Sequence, residues 1–191
     1  MLADNPLGKI FDGKDVVVIG NSKGLMSSSY GKEIDSLDVV CRMNRAFNVV
    51  PPRSNEYSRG IGTRMDVLFV NLVRTSRFKG TGTTVIQTSP CDHDDPKVAS
   101  RAAFIPTKEM FRGLFDEFQG VKPTTGIRVL FLLKNHCQPK SVHAYGLDWK
   151  TKHPSFYGTS DDWTCVDHDF KKEMEYCMNN FFNDETFILH E

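Results

Sequence analysis

The sequence lacks the features that mark several common classes of protein. Its 24 basic and 24 acidic residues cancel, so nothing in the whole-chain charge predicts a nucleic-acid partner. The longest apolar runs, such as VLFLL at Val129 to Leu133, are far below the roughly 20 residues that a membrane-spanning helix needs. The N-terminal MLADNPLGK has no basic leader followed by an apolar stretch, which predicts that no signal peptide is present. We therefore expect a soluble single domain over residues 1–191, with no membrane span and no nucleic-acid partner.

The cysteines are few, odd in number and irregularly spaced. No CxxC pair occurs, so neither a zinc ribbon nor a thioredoxin-type motif is expected. Free thiols in a reducing compartment are the simpler interpretation, and they predict a cytoplasmic location, in a microbe or a virus-infected cell. The five are Cys41, Cys91, Cys137, Cys165 and Cys177.

What the sequence does contain is an alternation of short β-rich runs with longer helical stretches. This alternation predicts a three-layer α/β/α, Rossmann-like fold with a mostly parallel central sheet. The polar stretch from Asn48 to Arg64 reads as a long loop. The predicted strands are Asp15–Ile19, Val39–Met43, Met65–Asn71, Thr84–Thr88, Ser141–Tyr145 and Thr186–Leu189, and the predicted helices are Tyr30–Asp35, Lys108–Gln119, Gly126–His136 and Asp167–Phe182.

Two of these helices have informative patterns. The segment from Ile127 to His136 is apolar almost all round and should be buried, with Thr124 and Thr125 available to cap its first turn. In the last helix Phe170, Met174, Cys177 and Phe181 form one apolar stripe. His168 precedes that stripe and should lie at the start of the helix, away from the core.

The turn after the first strand is a candidate nucleotide-binding loop. A strand that ends in Gly20-Asn21-Ser22 presents backbone N–H groups and small polar side chains where open α/β sheets bind phosphates. The spacing matches neither GxGxxG nor a P-loop, so an ordinary β-to-α turn stays open as an interpretation.

Six segments carry short patterns in order along the chain. They are VVVIGNS (Val16 to Ser22), YGKEIDS (Tyr30 to Ser36), CRMNRA (Cys41 to Ala46), IGTRMD (Ile61 to Asp66), KPTTGIRVLFLLKNHCQPKSVHAYGLD (Lys122 to Asp148), and His168 followed five residues later by Glu173. The first four resemble the large motif of the sialyltransferase family, the fifth resembles its small motif, and the last resembles a third motif. The motifs stand in the family's order, and the resemblance adds a GT-A-like variant to the fold expectation.

The resemblance implies an inverting, metal-independent transferase with no cofactor, which moves sialic acid, or a related 2-keto sugar acid such as Kdo, from its CMP-activated donor to a glycan acceptor. It implies that His168 is the general base, which suits an imidazole with an ordinary pKa of about 6.5. His153 or Tyr157 would stabilise the leaving phosphate. The nucleotide sugar would be bound by Gly20, Asn21, Ser22, Asn44, Thr124, Thr125 and Gly126.

The sequence also departs from the family pattern. Secretory members carry a disulfide between the large and small motifs, but here only Cys137 is in place, because the first strand begins Asp15-Val16. The family's aromatic motif before the histidine is broken in HPSFYG (His153 to Gly158). A non-catalytic CMP- or glycan-binding module therefore stays open, as does a UDP- or GDP-sugar transferase with a metal at Asp92 to Asp95.

Glu173 is not expected to orient His168 directly. If both residues are helical, five positions place them about 140° apart around the axis. A structural role for Glu173, with a lysine or a backbone N–H, is the alternative.

Overall fold

The computed structural model describes residues 5–44, 46, 55–70, 82–88, 102–147, 149 and 168–190. Two short 3-10 helices, Lys23–Ser27 and Glu109–Phe111, accompany the regular elements. The α-helices are α1 Pro6–Phe11, α2 Gly31–Ser36, α3 Asn55–Ile61, α4 Arg112–Phe118, α5 Thr125–His136 and α6 Phe170–Asn180. The strands are β1 Asp15–Ile19, β2 Val39–Met43, β3 Val67–Val70, β4 Thr84–Gln87, β5 Ser141–Tyr145 and β6 Phe187–His190.

The six strands form one sheet in the order β4-β3-β2-β1-β5-β6, and every pairing in it is parallel. All five residues of β2 and all four of β3 are buried, as expected for strands covered by helices on both faces. The predicted α/β fold is therefore confirmed, and the bounds of β1, β2 and β5 agree with the prediction to the residue. The other strands differ from it by one or two residues at their ends.

The chain reverses its direction across the sheet between β1 and β5. The N–H of Gly20 donates to the carbonyl of Tyr145 at 2.7 Å, so the two strand ends stay joined beyond the last ladder pair. A Cβ built on Gly20 would lie 2.0 Å from the carbonyl oxygen of Gly146, which only glycine avoids. Such a switch point, at the carboxyl ends of parallel strands, is where open α/β sheets bind their ligands.

The predicted loop from Asn48 to Arg64 is wrong in part, because it contains α3. This helix packs at close range on the 3-10 helix: a Cβ on Gly60 would lie 2.3 Å from the carbonyl oxygen of Leu25. The helix was not predicted because its sequence is mostly polar, and a backbone contact at a glycine produces no apolar pattern in the sequence. Helix α1 was also not predicted, although Asn5 caps it, accepting from the N–H of Leu7 at 3.1 Å.

The main core lies between the sheet and α5. As predicted, α5 is buried almost all round, and its aliphatic side chains join one cluster with residues from β1, β2 and β3. The stripe on α6 buries Phe170 and Cys177, and Phe181 just after it, whereas Met174 is half-buried. Among the helices that the structure describes, none combines the length and the apolar character needed to cross a bilayer.

Candidate nucleotide-sugar site

The loop after β1 holds a buried amide with one unused acceptor. Asn21 donates its Nδ2 to the carbonyl of Met43 at 3.4 Å, but its buried Oδ1 has no hydrogen-bond partner among the described residues. A buried acceptor without a donor costs about 1–3 kcal/mol, so this atom suits a donor group on a ligand. The neighbouring Ser22 uses its hydroxyl to accept from the N–H of Gly24 at 3.3 Å and so caps the 3-10 helix.

Asn44 joins the two halves of the site. Its Nδ2 donates to the Thr125 hydroxyl at 3.0 Å, a contact between residues 81 positions apart in the chain. The Asn44 backbone has φ 51°, in the left-handed region that asparagine tolerates better than most residues. The contact places the end of β2 beside the first turn of α5, where N–H groups lacking intrahelical partners favour anions.

Thr124 does not cap α5 with its side chain, contrary to the sequence-based expectation. Its hydroxyl instead donates to Oε2 of Glu173, and its N–H donates to Oε1, both at 2.7 Å. Glu173 therefore clamps the N-cap residue, which directly precedes α5. The alternative of a structural role with a backbone N–H is confirmed, and the sequence could not name the partner because 49 residues separate the two.

Burial raises the pKa of Glu173 to about 7, since its side chain is fully removed from solvent. Hydrogen bonds from Thr124 and Trp149 and the charge of Arg128 act in the opposite direction and only partly offset the desolvation. Burial also lowers the pKa of Arg128, to about 10, while Glu173 raises it. The Glu173 carboxyl therefore gains or loses its proton near neutral pH.

His168 lies next to the same end of α5. It directly precedes Asp169, which caps α6, as the prediction of a position at the helix start required. Its Nδ1 contacts the carbonyl oxygen of Lys122, two residues before Thr124. A carbonyl oxygen only accepts, so Nδ1 carries the proton in the neutral ring and Nε2 carries the lone pair.

A cavity of about 350 Å³ lies beside the loop after β1. It is enclosed by the 3-10 helix, the end of β5, α6 and the end of β6, and most of its wall is apolar. Sequence reasoning missed it, because its wall comes from four separate segments. The described lining residues are Ser22, Gly24, Leu25, Ser28, Tyr30, Gly146, Leu147, Trp149, Met174, Met178, Leu189 and His190.

Several predicted site residues lie outside the described ranges. These are His153 and Tyr157, the two candidate phosphate donors, and the acidic segment Asp92 to Asp95. Within those ranges no three His, Cys, Asp or Glu side chains are grouped to hold a metal. Of the cysteines, Cys41, Cys137 and Cys177 are buried free thiols, and the other two are not described.

The glycine turns after β1 and β5 meet at the switch point of the parallel sheet, and this arrangement defines a Rossmann-like α/β protein. Residues 12–94 match glycosyltransferase family 29, the sialyltransferases. A solved mammalian sialyltransferase, in complex with Gal-beta-1-3GalNAc-ortho-nitrophenol, has the same fold, with a TM-score of 0.63 over 96% of this chain and 71% of that chain at 21% identity. The chain belongs to the sialyltransferase family.

Curated relatives agree with this assignment. The mouse CMP-N-acetylneuraminate-beta-galactosamide-alpha-2,3-sialyltransferase 1 is 30% identical over 151 residues, which cover 70% of this chain and 45% of the mouse protein. The human alpha-2,8-sialyltransferase 8E is 39% identical over 66 residues, or 34% of this chain and 16% of the human protein. The chain thus spans less than half the length of the curated relatives that it matches.

Proposed function

We propose that this protein transfers sialic acid, or a related 2-keto sugar acid such as Kdo, from its CMP donor to a glycan hydroxyl. The reaction is inverting and needs no metal. The observation that carries the proposal is the contact between Asn44 and Thr125, because it brings together the two motifs that the family resemblance assigns to the donor. The unused acceptor of Asn21 lies in the preceding loop and supports the same site.

The first turn of α5 is suited to the anionic parts of the donor. Thr124 turns its own hydroxyl and N–H toward Glu173, so we assign the donor contact to the hydroxyl of Thr125 and the N–H groups of Thr125 and Gly126. These groups can hold the phosphate or the sugar carboxylate without a cation. His153 or Tyr157 would add a donor to the leaving phosphate, which already carries charge and needs no strong acid.

His168 acts as the general base. Its Nε2 takes the proton from the acceptor hydroxyl while that oxygen forms the new bond to the anomeric carbon. The bond between the anomeric carbon and the CMP phosphate oxygen breaks in the same step, and CMP leaves with its electron pair. One displacement at one carbon inverts its configuration, and the Lys122 carbonyl stabilises the imidazolium that forms, through Nδ1.

The test is release of CMP from CMP-sialic acid, measured with EDTA present and with galactoside and sialylated acceptors in parallel. We expect turnover in EDTA and loss of transfer in His168→Ala, with CMP affinity largely unchanged. The matched control is His136→Ala, because His136 lies at the other end of α5 and contacts the carbonyl of Met110 at 2.9 Å. Near-normal transfer by His168→Ala would show that another group is the base.

Two other functions would give different results. A non-catalytic binding module, which the broken motif at HPSFYG favours, would bind CMP in calorimetry yet release none from any CMP-sugar. A transferase with a metal at Asp92 to Asp95 would be stimulated by a divalent ion and would prefer a UDP- or GDP-sugar. Either result would replace the proposed function.

A further inference from the structure

Glu173 is a buried carboxylate directly behind the end of α5 that is proposed to hold the anionic donor. Its side chain is fully removed from solvent, and its two oxygens accept from the N–H and the hydroxyl of Thr124, both at 2.7 Å. Thr124 is the N-cap of α5, and the groups proposed to bind the donor belong to the next two residues, Thr125 and Gly126. Because consecutive Cα atoms are about 3.8 Å apart, the carboxylate and a bound anion would lie within about 10 Å of each other.

The contact between Glu173 and Thr124 determines which groups of this turn face a ligand. The N–H and the hydroxyl of Thr124 both donate to Glu173, so neither is directed at an anion. The Thr125 hydroxyl accepts from Nδ2 of Asn44 at 3.0 Å, which leaves its own hydrogen to be donated onward. Glu173 therefore positions the first turn of α5 through Thr124, without touching the donor itself.

The charge of Glu173 opposes the anion that this turn attracts. The N–H groups at the start of a helix favour negative charge, whereas a second negative charge within about 10 Å repels it. Solvent screens this repulsion only weakly, because the carboxylate is buried. A proton on Glu173 removes the repulsion, and the neutral carboxyl still has lone pairs that accept from the N–H of Thr124.

The charged and titratable groups around Glu173 lie mainly on two helices. Among the described residues, Arg128 of α5 stabilises its charge, while on α6 Cys177 is a buried thiol whose pKa is raised and Asp169 is an exposed cap one turn earlier. Burial outweighs Arg128 and the hydrogen bonds and raises the pKa of Glu173 to about 7. His168 lies beside the same turn and can also gain a proton near neutral pH, so an experiment must separate the two.

We propose that Glu173 is a positioning residue whose protonation strengthens binding of the anionic donor at the start of α5. The donor then binds with uptake of a proton, and its affinity falls as the pH rises and Glu173 becomes charged. This role rests on the proposed function for the place of the donor. It adds to that function a residue that controls donor affinity from behind the site.

The first experiment compares a charged probe with a neutral one. The methyl ester of CMP is a phosphodiester, which keeps one negative charge between about pH 6 and about pH 8.5, whereas a phosphate monoester titrates near pH 6 and cytidine carries no phosphate. Calorimetry gives both affinities for the wild type, Glu173→Gln and the control Glu175→Gln, which replaces an exposed side chain of the same helix.

We expect Glu173→Gln to bind the methyl ester about tenfold more tightly than the wild type at about pH 8.5 and about equally at pH 6, because two like charges within about 10 Å repel by at least that much at an effective dielectric constant of about 20. Cytidine should bind the two proteins equally, and Glu175→Gln should behave as the wild type does. His168 is present in all three proteins, so its protonation cancels from the comparison. A purely structural role predicts unchanged or weaker binding by Glu173→Gln at about pH 8.5, and that result would overturn the proposal.

The second experiment uses the unmodified chain, so it does not depend on how a variant folds. Carboxyl 13C NMR of glutamate-labelled protein follows the titration of Glu173, which is separated from that of exposed glutamates because they titrate near pH 4. We expect saturating methyl ester to raise the Glu173 midpoint by about one pH unit, the counterpart of a tenfold preference, and cytidine to leave it in place. A midpoint that the methyl ester leaves unmoved or lowers would contradict the proposed role.

The outcomes distinguish this role from the proposed function. If the methyl ester binds, but Glu173→Gln matches the wild type and the Glu173 midpoint does not move, the role of Glu173 is wrong and the transferase assignment stands. If neither CMP nor its methyl ester binds at any pH, the proposed donor site is wrong, and the role of Glu173 fails with it.

Discussion

Replacing Glu173 by glutamine should remove a large pH dependence from the stability of this protein. Glutamine is nearly isosteric, and its Oε1 can still accept from the N–H of Thr124, while the Thr124 hydroxyl rotates to accept from its Nε2. The substitution therefore keeps both Thr124 contacts, while it removes the charge that Trp149 and Arg128 also stabilise. The change of stability with pH, rather than the stability at one pH, then reports the ionisation of the buried carboxylate.

The magnitude follows from the raised pKa. Burial raises the pKa of Glu173 from 4.5 to about 7, so between these values the native state holds a proton that the unfolded state has lost. The free energy of unfolding then falls by about 1.4 kcal/mol for each pH unit, or about 3 kcal/mol in total, as the pH rises through that window. Below it the stabilisation is fully present, and above it the loss is complete.

The assay is urea unfolding at about pH 5 and about pH 8 for the wild type, Glu173→Gln and a control, Glu175→Gln. Glu175 lies on the same helix but is exposed, in a loose pair with Lys171, so its removal should leave the wild-type pH dependence in place. We expect the wild type to lose about 2.5 kcal/mol more than Glu173→Gln over this range, because pH 5 already lies inside the window. Parallel stability curves for these two proteins would refute the reasoning.

Further substitutions at Gly20 and Asn44 test the geometry of the site. Gly20→Ala should destabilise the protein severely or prevent its folding, because the new Cβ would lie 2.0 Å from the carbonyl oxygen of Gly146. The control Gly24→Ala should fold normally, because its new Cβ meets only the Ser22 hydroxyl, at 3.5 Å. Equal melting temperatures for the two variants would contradict this prediction. Asn44→Ala should lose about 1–2 kcal/mol of stability, because alanine tolerates the left-handed backbone at this position poorly. Asn44→Gly should recover that stability, but CMP binding should be weakened in both variants. Full CMP affinity in Asn44→Gly, measured by calorimetry, would exclude a donor role for this side chain.

The sheet was predictable because each strand has a local signature. Runs such as VVVI and VVCRM are β-rich, continuously apolar or nearly so, and bounded by turn residues, and these properties do not depend on distant parts of the chain. Helix α5 was predictable for the same reason, since the five consecutive apolar residues from Val129 to Leu133 cover every face of a helical turn. Helix α3 was not, because only Tyr57 and Ile61 contact the core with their side chains, and the helix otherwise packs through its backbone at Gly60.

The candidate site divides in the same way. The sequence pointed to the turn at Gly20, to Asn44 and to His168, and the structure places all three at the carboxyl ends of β1 and β2 or beside the start of α5. It could not give the partners of the side chains, such as Glu173 for Thr124. Such partners lie 49 or more residues apart in the chain, and local sequence patterns carry no information about contacts at that separation.

Local patterns along the chain indicate the parallel α/β architecture and the order of the family's motifs. The folded chain shows in addition that Glu173 clamps Thr124, which does not cap its helix, and that the buried Oδ1 of Asn21 has no partner among the described residues. It also brings the rings of His143 and His190 within hydrogen-bond distance, at 3.0 Å. The physical reason is common to all three. A side chain's hydrogen bonds are set by which groups folding brings within about 3 Å, and the pKa of a buried group depends on that same neighbourhood.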